Sequence, residues 1–122
     1  MTGKERIQAI IQGKEFDRVP VFPKINYANV IAVEGMTIRE FITNSEAMAK
    51  ATIESYRKFR FDGIAVHTDI AVQGMALGSK YSLPENAPSQ LEQPLLESIS
   101  EIEKVKIPDP LTVKPMSTII EA

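Results

Sequence analysis

The first apolar pattern along the chain predicts a helix that is capped at both ends. Thr2 and Glu5 stand three residues apart, which is the spacing of a capping box, and Gly13 supplies the stop. Three isoleucines share one face of this helix. They are Ile7, Ile10 and Ile11.

A second and longer helix follows a cap at Asn44 or Ser45. Its apolar residues recur at helical spacing, and we expect the two aromatic ones to lie in the core. These residues are Ala49, Ile53, Tyr56 and Phe59.

Two short runs of β-forming residues alternate with these helices. Residues 19–23 (VPVFP) are β-branched and aromatic, and their prolines suit the ends of a strand or a bulge. Residues 63–66 (GIAV) follow the longer helix and are typical of a buried strand in a parallel sheet. Strands that alternate with helices indicate an α/β fold with parallel pairing.

Shorter elements complete the pattern. They are brief helices over residues 30–35, 36–43 and 70–78, extended segments over 80–83 and 90–95 that could form a hairpin, a helix from Ser98 or Ser100 to Val105, and a last helix from Met116.

The length of the chain limits this architecture. Its 122 residues suit a single domain over 1–122, but two parallel strands do not close a sheet, and a (β/α)8 barrel needs about 250 residues. One interpretation is a fragment, or a split subunit that another chain completes. The alternative is a compact α/β domain in which the hairpin serves as the missing sheet.

The composition limits the partners and the cellular location that we expect for this protein. The formal net charge of -2 gives no reason to expect nucleic acid or an anionic membrane as a partner. No apolar run approaches the roughly 20 residues that span a bilayer, and no apolar stretch follows the first charges as in a secretory signal. The chain has no cysteine, which excludes disulfides within it. We therefore expect a cytoplasmic protein.

Several segments together resemble the uroporphyrinogen decarboxylase-like superfamily, which includes corrinoid-dependent methyltransferases. Residues 13–21 (GKEFDRVPV) are similar to the family's entry into its first barrel strand, and 61–64 (FDGI) to its second strand. Residues 67–70 (HTDI) and 74–78 (GMALG) resemble the segment and the helix end that follow, and 107–110 (IPDP) also fits. The resemblance implies an α/β fold that is the N-terminal part of a (β/α)8 TIM-type barrel, with an N-terminal helix and a β-hairpin insertion.

The loop after the first predicted strand distinguishes two branches of this family. The decarboxylases carry arginines there that hold the acidic groups of a porphyrinogen, because guanidinium groups pair bidentately with carboxylates. Residues 23–29 (PKINYAN) contain no arginine. The sequence is therefore closer to the methyltransferase branch, whose members move a methyl group between a corrinoid, usually on a partner protein, and a thiol.

The same resemblance implies two cofactors for the complete enzyme and none within this chain. A corrinoid protein is the implied partner. A zinc ion would be held by His and Cys residues in the later half of the barrel, where it binds the thiol as a thiolate. Since the chain has no cysteine and one histidine, we expect no metal ligand in it.

Four residues are candidates for the pocket. Asp69 follows the second predicted strand, at the face of the barrel where catalytic residues lie. The resemblance matches it to a family aspartate that contacts the substrate, which makes Asp69 the catalytic candidate. The alternative is that Asp69 is a helix N-cap. Asn26 and Tyr27 lie on the first barrel loop and are candidate substrate- or cofactor-binding residues, with a solvated turn as the alternative. His67 is a further binding candidate, with hydrogen-bonded structure as the alternative. Arg18 is expected to anchor the helix-to-strand junction.

Three functions remain open on the sequence. The first is the N-terminal segment of a corrinoid-linked methyltransferase, inactive by itself. The second is a decarboxylase that acts on a tetrapyrrole. The third is a non-enzymatic binding or assembly module that covers its exposed strand edges by self-association.

Overall fold

The computed structural model describes residues 1–66 and 69–122, and over these the fold is mostly helical with one small sheet. The elements in chain order are α1 (Gly3–Ile11), a first 3₁₀ helix (Asn26–Ala32), α2 (Ile38–Thr43), α3 (Ser45–Phe59), α4 (Val72–Leu77), β1 (Lys80–Ser82), β2 (Gln90–Gln93), a second 3₁₀ helix (Ile99–Lys104) and α5 (Met116–Glu121).

The helix ends follow the predicted caps closely. Thr2 and Glu5 form both hydrogen bonds of a capping box at the start of α1. Asn44, one of the two predicted caps, accepts a hydrogen bond from the Ala47 backbone N–H at 3.0 Å. Gly13 and Gly78 have φ angles of 64° and 113°, in the left-handed region that glycine adopts without strain. These ends are set by local hydrogen bonds and backbone sterics, which explains why the sequence predicted them.

The hydrophobic core lies between α2, α3 and the first 3₁₀ helix. It is formed by four buried residues, Phe41, Ile42, Met48 and Ala51. Partly buried side chains from the surrounding elements close around it: Tyr27, Val30, Val33, Met36, Ile38, Leu83, Ile119 and Ala122.

The buried face of α3 differs from the predicted one. Tyr56 and Phe59 are 44% and 43% exposed, so their assignment to the core is wrong. The buried residues are instead mostly small: Ala47, Met48, Ala51, Thr52 and Ser55. Small side chains let the 3₁₀ helix approach closely enough for the Ser55 hydroxyl to donate to the Asn29 carbonyl at 3.3 Å. Tertiary packing therefore selects the small-residue face of the helix.

The isoleucine face of α1 is also largely exposed. Ala9 is the buried residue of this helix, while Ile10 and Ile11 face solvent. The apolar periodicity correctly predicted a helix, and the structure leaves two of its three isoleucines exposed. Ile7 is half-buried beside Gly63, whereas Ile10 and Ile11 extend beyond that contact.

The two runs predicted as parallel strands, 19–23 and 63–66, are not strands in this structure. They do lie side by side, since the Asp62 backbone N–H donates to the Val21 carbonyl at 2.8 Å. Val19 and Phe22 are 72% and 56% exposed, and Ile64 and Val66 are exposed as well. Pro20 and Pro23 lack the N–H groups that would extend the pairing. The described residues thus show a helical α/β segment with one small antiparallel sheet, and no barrel.

The predicted hairpin is confirmed. Strands β1 and β2 pair antiparallel, with Tyr81 opposite Leu91 and a bulge beside Lys80. The hairpin is joined to α2, because the Arg39 side chain donates to the Leu83 carbonyl at 2.6 Å and its backbone N–H to the Glu85 carbonyl at 3.0 Å. The sheet of this segment is therefore tied to the helical core.

Within the described residues no helix is both long and apolar enough to cross a membrane.

Candidate functional site

Asp62 is the centre of the most extensive polar cluster that we find in the described chain. Its side chain is 3% exposed and accepts hydrogen bonds from three directions. Arg18 donates from both terminal nitrogens at 2.6 and 2.9 Å, Arg6 donates at 2.8 Å, and the Val21 backbone N–H donates at 2.7 Å. The two oxygens thereby join α1, the loop that follows it, and the two adjacent segments.

Asp17 extends this cluster toward solvent. It binds Arg6 through two hydrogen bonds of 2.6 and 2.8 Å, and the N-terminal amine lies 3.3 Å away. Arg6 therefore bridges two carboxylates, one half-exposed and one buried. The expectation that Arg18 anchors the junction is confirmed, since it also donates to the Val19 carbonyl at 3.1 Å.

The arginines shift the ionisation of both carboxyl groups. Hydrogen bonding from Arg18, then from the Val21 backbone and from Arg6, lowers the pKa of Asp62 to about 2. Hydrogen bonding from Arg6, and then from the N-terminal amine, holds the pKa of Asp17 far below its usual range. In return Asp17 and Asp62 raise the pKa of Arg6. The shifts favour the charged forms of Asp17, Asp62 and Arg6.

This shift predicts that the chain loses stability as the pH falls from about 4 to about 2. An unfolded aspartate titrates near 3.9, whereas Asp62 titrates at about 2 in the folded chain. Above the unfolded pKa the stabilisation is fully present, and it is lost as the pH falls through the folded pKa because the unfolded state binds the proton first. Urea midpoints measured across this pH range should fall for the wild type and fall less steeply for Asp62→Asn, which keeps only the contribution of Asp17 and its bonds to Arg6. Parallel curves for the two proteins would contradict the assignment.

Two glycines allow the segments around Asp62 to approach closely. A Cβ on Gly3 would lie 2.4 Å from the Asp62 carbonyl oxygen, which is backbone and cannot move aside easily. A Cβ on Gly63 would lie 2.6 Å from the Phe22 ring. The first turn of α1 and the 19–23 segment therefore both pack against the backbone at residues 62 and 63.

Asn26 and Tyr27, the candidates on the first loop, open the first 3₁₀ helix. This helix begins earlier than the predicted brief helix at residues 30–35. Asn26 has a φ of 43°, in the left-handed region, and its buried Oδ1 has no hydrogen-bond partner in the described part of the chain. Tyr27 packs against the hydrophobic core. The loop is therefore ordered by packing and is not simply a solvated turn.

Asn29 stabilises this loop, and its role was not resolved by the sequence. Its side chain is buried, and its amide donates to the Asn26 carbonyl at 2.8 Å. Its own carbonyl accepts the bond from Ser55. Asn29 thus holds the backbone that presents Asn26.

Asp69, the catalytic candidate, has a buried carboxylate that is already engaged. It accepts hydrogen bonds from the Ala71 backbone N–H at 2.8 Å and from the backbone and hydroxyl of Ser89 at 3.0 and 2.8 Å. Helix α4 begins at Val72 with Ala71 at its cap position, so Asp69 closes the turn before the helix. This aspartate links α4 to the residue that precedes β2, and a catalytic role for it stays a prediction.

The candidate residues do not converge on one pocket. No hydrogen bond in the described chain joins Asp69 to Asn26 or Tyr27, and His67 lies outside the described residues. The cavity beside Asn29 has about 10 Å³, room for about one water, and the one beside Asp69 about 40 Å³. A cleft of about 350 Å³ near Leu77 contains none of the candidates. The candidates that the structure describes therefore do not line a common cavity.

The zinc ion that the family resemblance implies belongs to a later part of the barrel, outside this chain. No cluster of three or more His, Cys, Asp or Glu side chains suited to a metal occurs within residues 1–66 and 69–122. The full sequence has no cysteine to supply a thiolate. These residues do not fit a zinc site built from His and Cys.

The fold and the polar cluster define an α/β segment in which Asp62 holds the two extended segments together through Arg18 and the Val21 backbone, while Asp17 binds Arg6 of α1. A protein-family model described as Uroporphyrinogen decarboxylase (URO-D) matches residues 2–122. The chain therefore belongs to the uroporphyrinogen decarboxylase family. No curated protein and no solved structure matched the chain.

Proposed function

We propose that the chain forms the first part of the barrel of a corrinoid-linked methyltransferase of this family and is inactive by itself. The observation that carries the proposal is the composition of the loop at residues 23–29, which lacks arginine. A polycarboxylate such as a porphyrinogen needs cationic partners, preferably bidentate guanidinium groups. Here one exposed lysine, Lys24, is the cation of this loop.

The loop offers uncharged polar groups in place of that clamp. The Oδ1 of Asn26 is an unpartnered acceptor on a residue whose backbone carbonyl is bound by Asn29, and buried polar atoms without partners call for an explanation. A ligand N–H or O–H group would satisfy this oxygen. Such a loop suits a ligand less acidic than a porphyrinogen.

The proposal includes a complete barrel, a zinc ion and a corrinoid protein. Exposed apolar side chains on the two adjacent segments, such as Val19, Val21 and Phe22, are the surface that further barrel strands would cover. The metal and the corrinoid protein would be bound by residues outside this chain.

The proposal is tested with the polypeptide encoded by the complete reading frame that contains these residues. We expect a downstream His-x-Cys motif and a later Cys. We also expect methyl transfer from methylcobalamin to the thiol 2-mercaptoethanesulfonate, and no consumption of uroporphyrinogen. Turnover of uroporphyrinogen would instead support the decarboxylase, and a frame without those ligands would exclude a zinc methyltransferase.

The loop residue can be tested in the same assay. Asn26→Gly removes the side-chain amide and tolerates the positive φ, so it separates ligand binding from backbone strain. Loss of one hydrogen bond to the ligand should lower kcat/KM by about tenfold. Lys14→Gln, at an exposed position outside the loop, is the control and should leave kcat/KM unchanged.

A non-enzymatic assembly module is the second candidate. The same exposed residues of the 19–23 segment favour it, because an uncovered strand-like edge is a template for pairing with another chain. Association of this kind would be driven by backbone hydrogen bonds and apolar contact, so added salt should not weaken it. Light scattering after size exclusion, at low and high salt, measures it directly.

A further inference from the structure

A polar cavity of about 300 Å³ lies where the start of α3 meets α5 and the residues just before it. The two helices pack against each other. A cavity of this size is at the lower end of those that hold small ligands, and neither Asn26 nor Asp69 lines it. Its lining is mostly polar and consists of Thr43, Asn44, Ser45, Glu46, Lys114, Thr118 and Glu121.

The start of α3 supplies hydrogen-bond donors to this cavity. The first backbone N–H groups of an α-helix have no partner inside the helix. The Asn44 side chain binds that of Ala47, while those of Ser45 and Glu46 form no hydrogen bond with the described part of the chain. Because α3 has 15 residues, its dipole also places partial positive charge at this end. These groups suit a carboxylate or another anionic group.

Thr118 is the independent observation that points to a ligand. It lines the cavity from α5 and is only 2% exposed. The hydroxyls of Thr43 and Thr52 donate to the carbonyl four residues earlier, but the Thr118 hydroxyl has no hydrogen-bond partner within residues 1–66 and 69–122. It is not sealed inside the protein, since it is absent from the enclosed unpartnered atoms of these residues. Buried polar groups normally have partners, so a group bound in the cavity is the one that this hydroxyl lacks.

Three charged side chains surround the cavity without neutralising one another. Lys114, Glu46 and Glu121 are exposed, and none of them forms a salt bridge with any residue that the structure describes. The opposite charges therefore line one cavity but are too far apart to pair directly. An anionic ligand would be repelled by two carboxylates, and a cationic ligand by the lysine and the helix end. A ligand that carries both charges matches the whole lining.

We infer that this cavity binds a small zwitterion with a carboxylate and an ammonium group, such as a free α-amino acid. The ligand carboxylate accepts hydrogen bonds from the backbone N–H groups of Ser45 and Glu46 and from the Thr118 hydroxyl. Lys114 lies on the same side as its counter-ion, and the ligand ammonium faces the carboxylates of Glu46 and Glu121. This binding site does not depend on the proposed enzymatic activity.

A titration followed by nuclear magnetic resonance tests the site with glycine, acetate, methylammonium and inorganic phosphate. We expect glycine to shift the amide signals of Ser45 and Glu46 saturably, with a Kd on the order of 1 mM. Acetate and methylammonium each carry one of the two charges of glycine, so each should bind at least about tenfold more weakly. Phosphate that binds as tightly as glycine would show a simple anion site and would overturn the inference.

Three variants assign the ligand groups to their partners. Lys114→Gln should weaken glycine binding about tenfold, and Thr118→Val, which keeps the shape of the side chain, should weaken it severalfold. Glu121→Gln should reduce glycine binding toward that of acetate, because the ammonium loses a partner. Lys80→Gln and Glu103→Gln change exposed charges elsewhere and should leave the Kd unchanged.

Circular dichroism verifies that each variant is folded. The inference is overturned if glycine causes no saturable shift, or if the Lys114 or Glu121 variant binds glycine as tightly as the wild type.

Discussion

Replacing Asp62 by Asn should lower the melting temperature of the chain by on the order of 10 °C. The amide is the same size but removes the charge that two arginines and a backbone N–H bind. Arg6 and Arg18 would then face each other without their shared counter-ion. Removing one partner of a buried ion pair is among the more destabilising single substitutions, because it leaves the other charge without its counter-ion. Thermal unfolding followed by circular dichroism at neutral pH measures the loss.

Two comparisons make this result specific. Glu34→Gln changes an exposed carboxylate and should shift the melting temperature by no more than about 2 °C. The double variant Asp62→Asn with Arg18→Gln should lose less than the sum of the two single losses, because the partners are coupled. Additive losses, or an Asp62→Asn protein as stable as the wild type, would show that the cluster does not hold the segments together.

Phe41→Ala should destabilise the chain by about 3–5 kcal/mol. Phe41 is fully buried at the centre of the core, so the substitution removes apolar contacts and leaves a cavity. A loss of this size is a large part of the roughly 5–15 kcal/mol that stabilises a typical domain. Urea unfolding should therefore show a much lower midpoint, or a chain that no longer unfolds cooperatively.

Phe22→Ala is the matched control, since it removes the same side chain at a position that is 56% exposed. We expect it to cost less than about 1 kcal/mol. The pair also tests the structure against the sequence, because the strand predicted at 19–23 would have buried this ring. Similar losses for the two variants would mean that the 19–23 segment is covered in solution. Phe41→Leu, which fills most of the space, should remain folded.

Elements with local signals were predicted well from the sequence. The capping box at Thr2 and Glu5, the Asn44 cap and the Gly78 stop all occur where the residue types require them. The hairpin and the Ser98 cap also agree with the structure. These features depend on hydrogen bonds between residues close in sequence and on backbone sterics, which a single sequence contains in full.

The buried face of each helix and the pairing of strands were predicted poorly, because both depend on which other elements pack against them. Helical spacing identified α3, but the small residues Ala47, Ala51 and Ser55 are buried and the larger Tyr56 and Phe59 are not. A β-forming sequence at 63–66 does not become a strand without partners on its edges. Periodicity states which residues share a face and leaves open which face is covered.

The candidate site residues were likewise predicted in part from the sequence and explained in part only by the structure. Asn26 and Asp69 were singled out by their positions in a family pattern, and only the structure revealed the unpartnered Oδ1 of the first and the Ser89 contacts of the second. Arg18 was predicted as an anchor, but its shared partner Asp62 was not. Asp62 stands in the quoted FDGI motif, but its burial, which an aspartate tolerates only when paired, is visible only in the structure.

The helix ends, the hairpin, the family resemblance and the lack of a cysteine for a thiolate site could all be inferred from the amino-acid sequence. Tertiary structure alone decided that Arg6, Arg18 and Asp62 meet, although Arg6 and Asp62 are 56 positions apart in the chain, and that Phe41 lies in the core while Phe22 does not. The physical reason is the range of the forces involved. Caps and turns are fixed by neighbours along the chain, whereas burial and buried ion pairs require surfaces that are distant in sequence to meet and exclude water together.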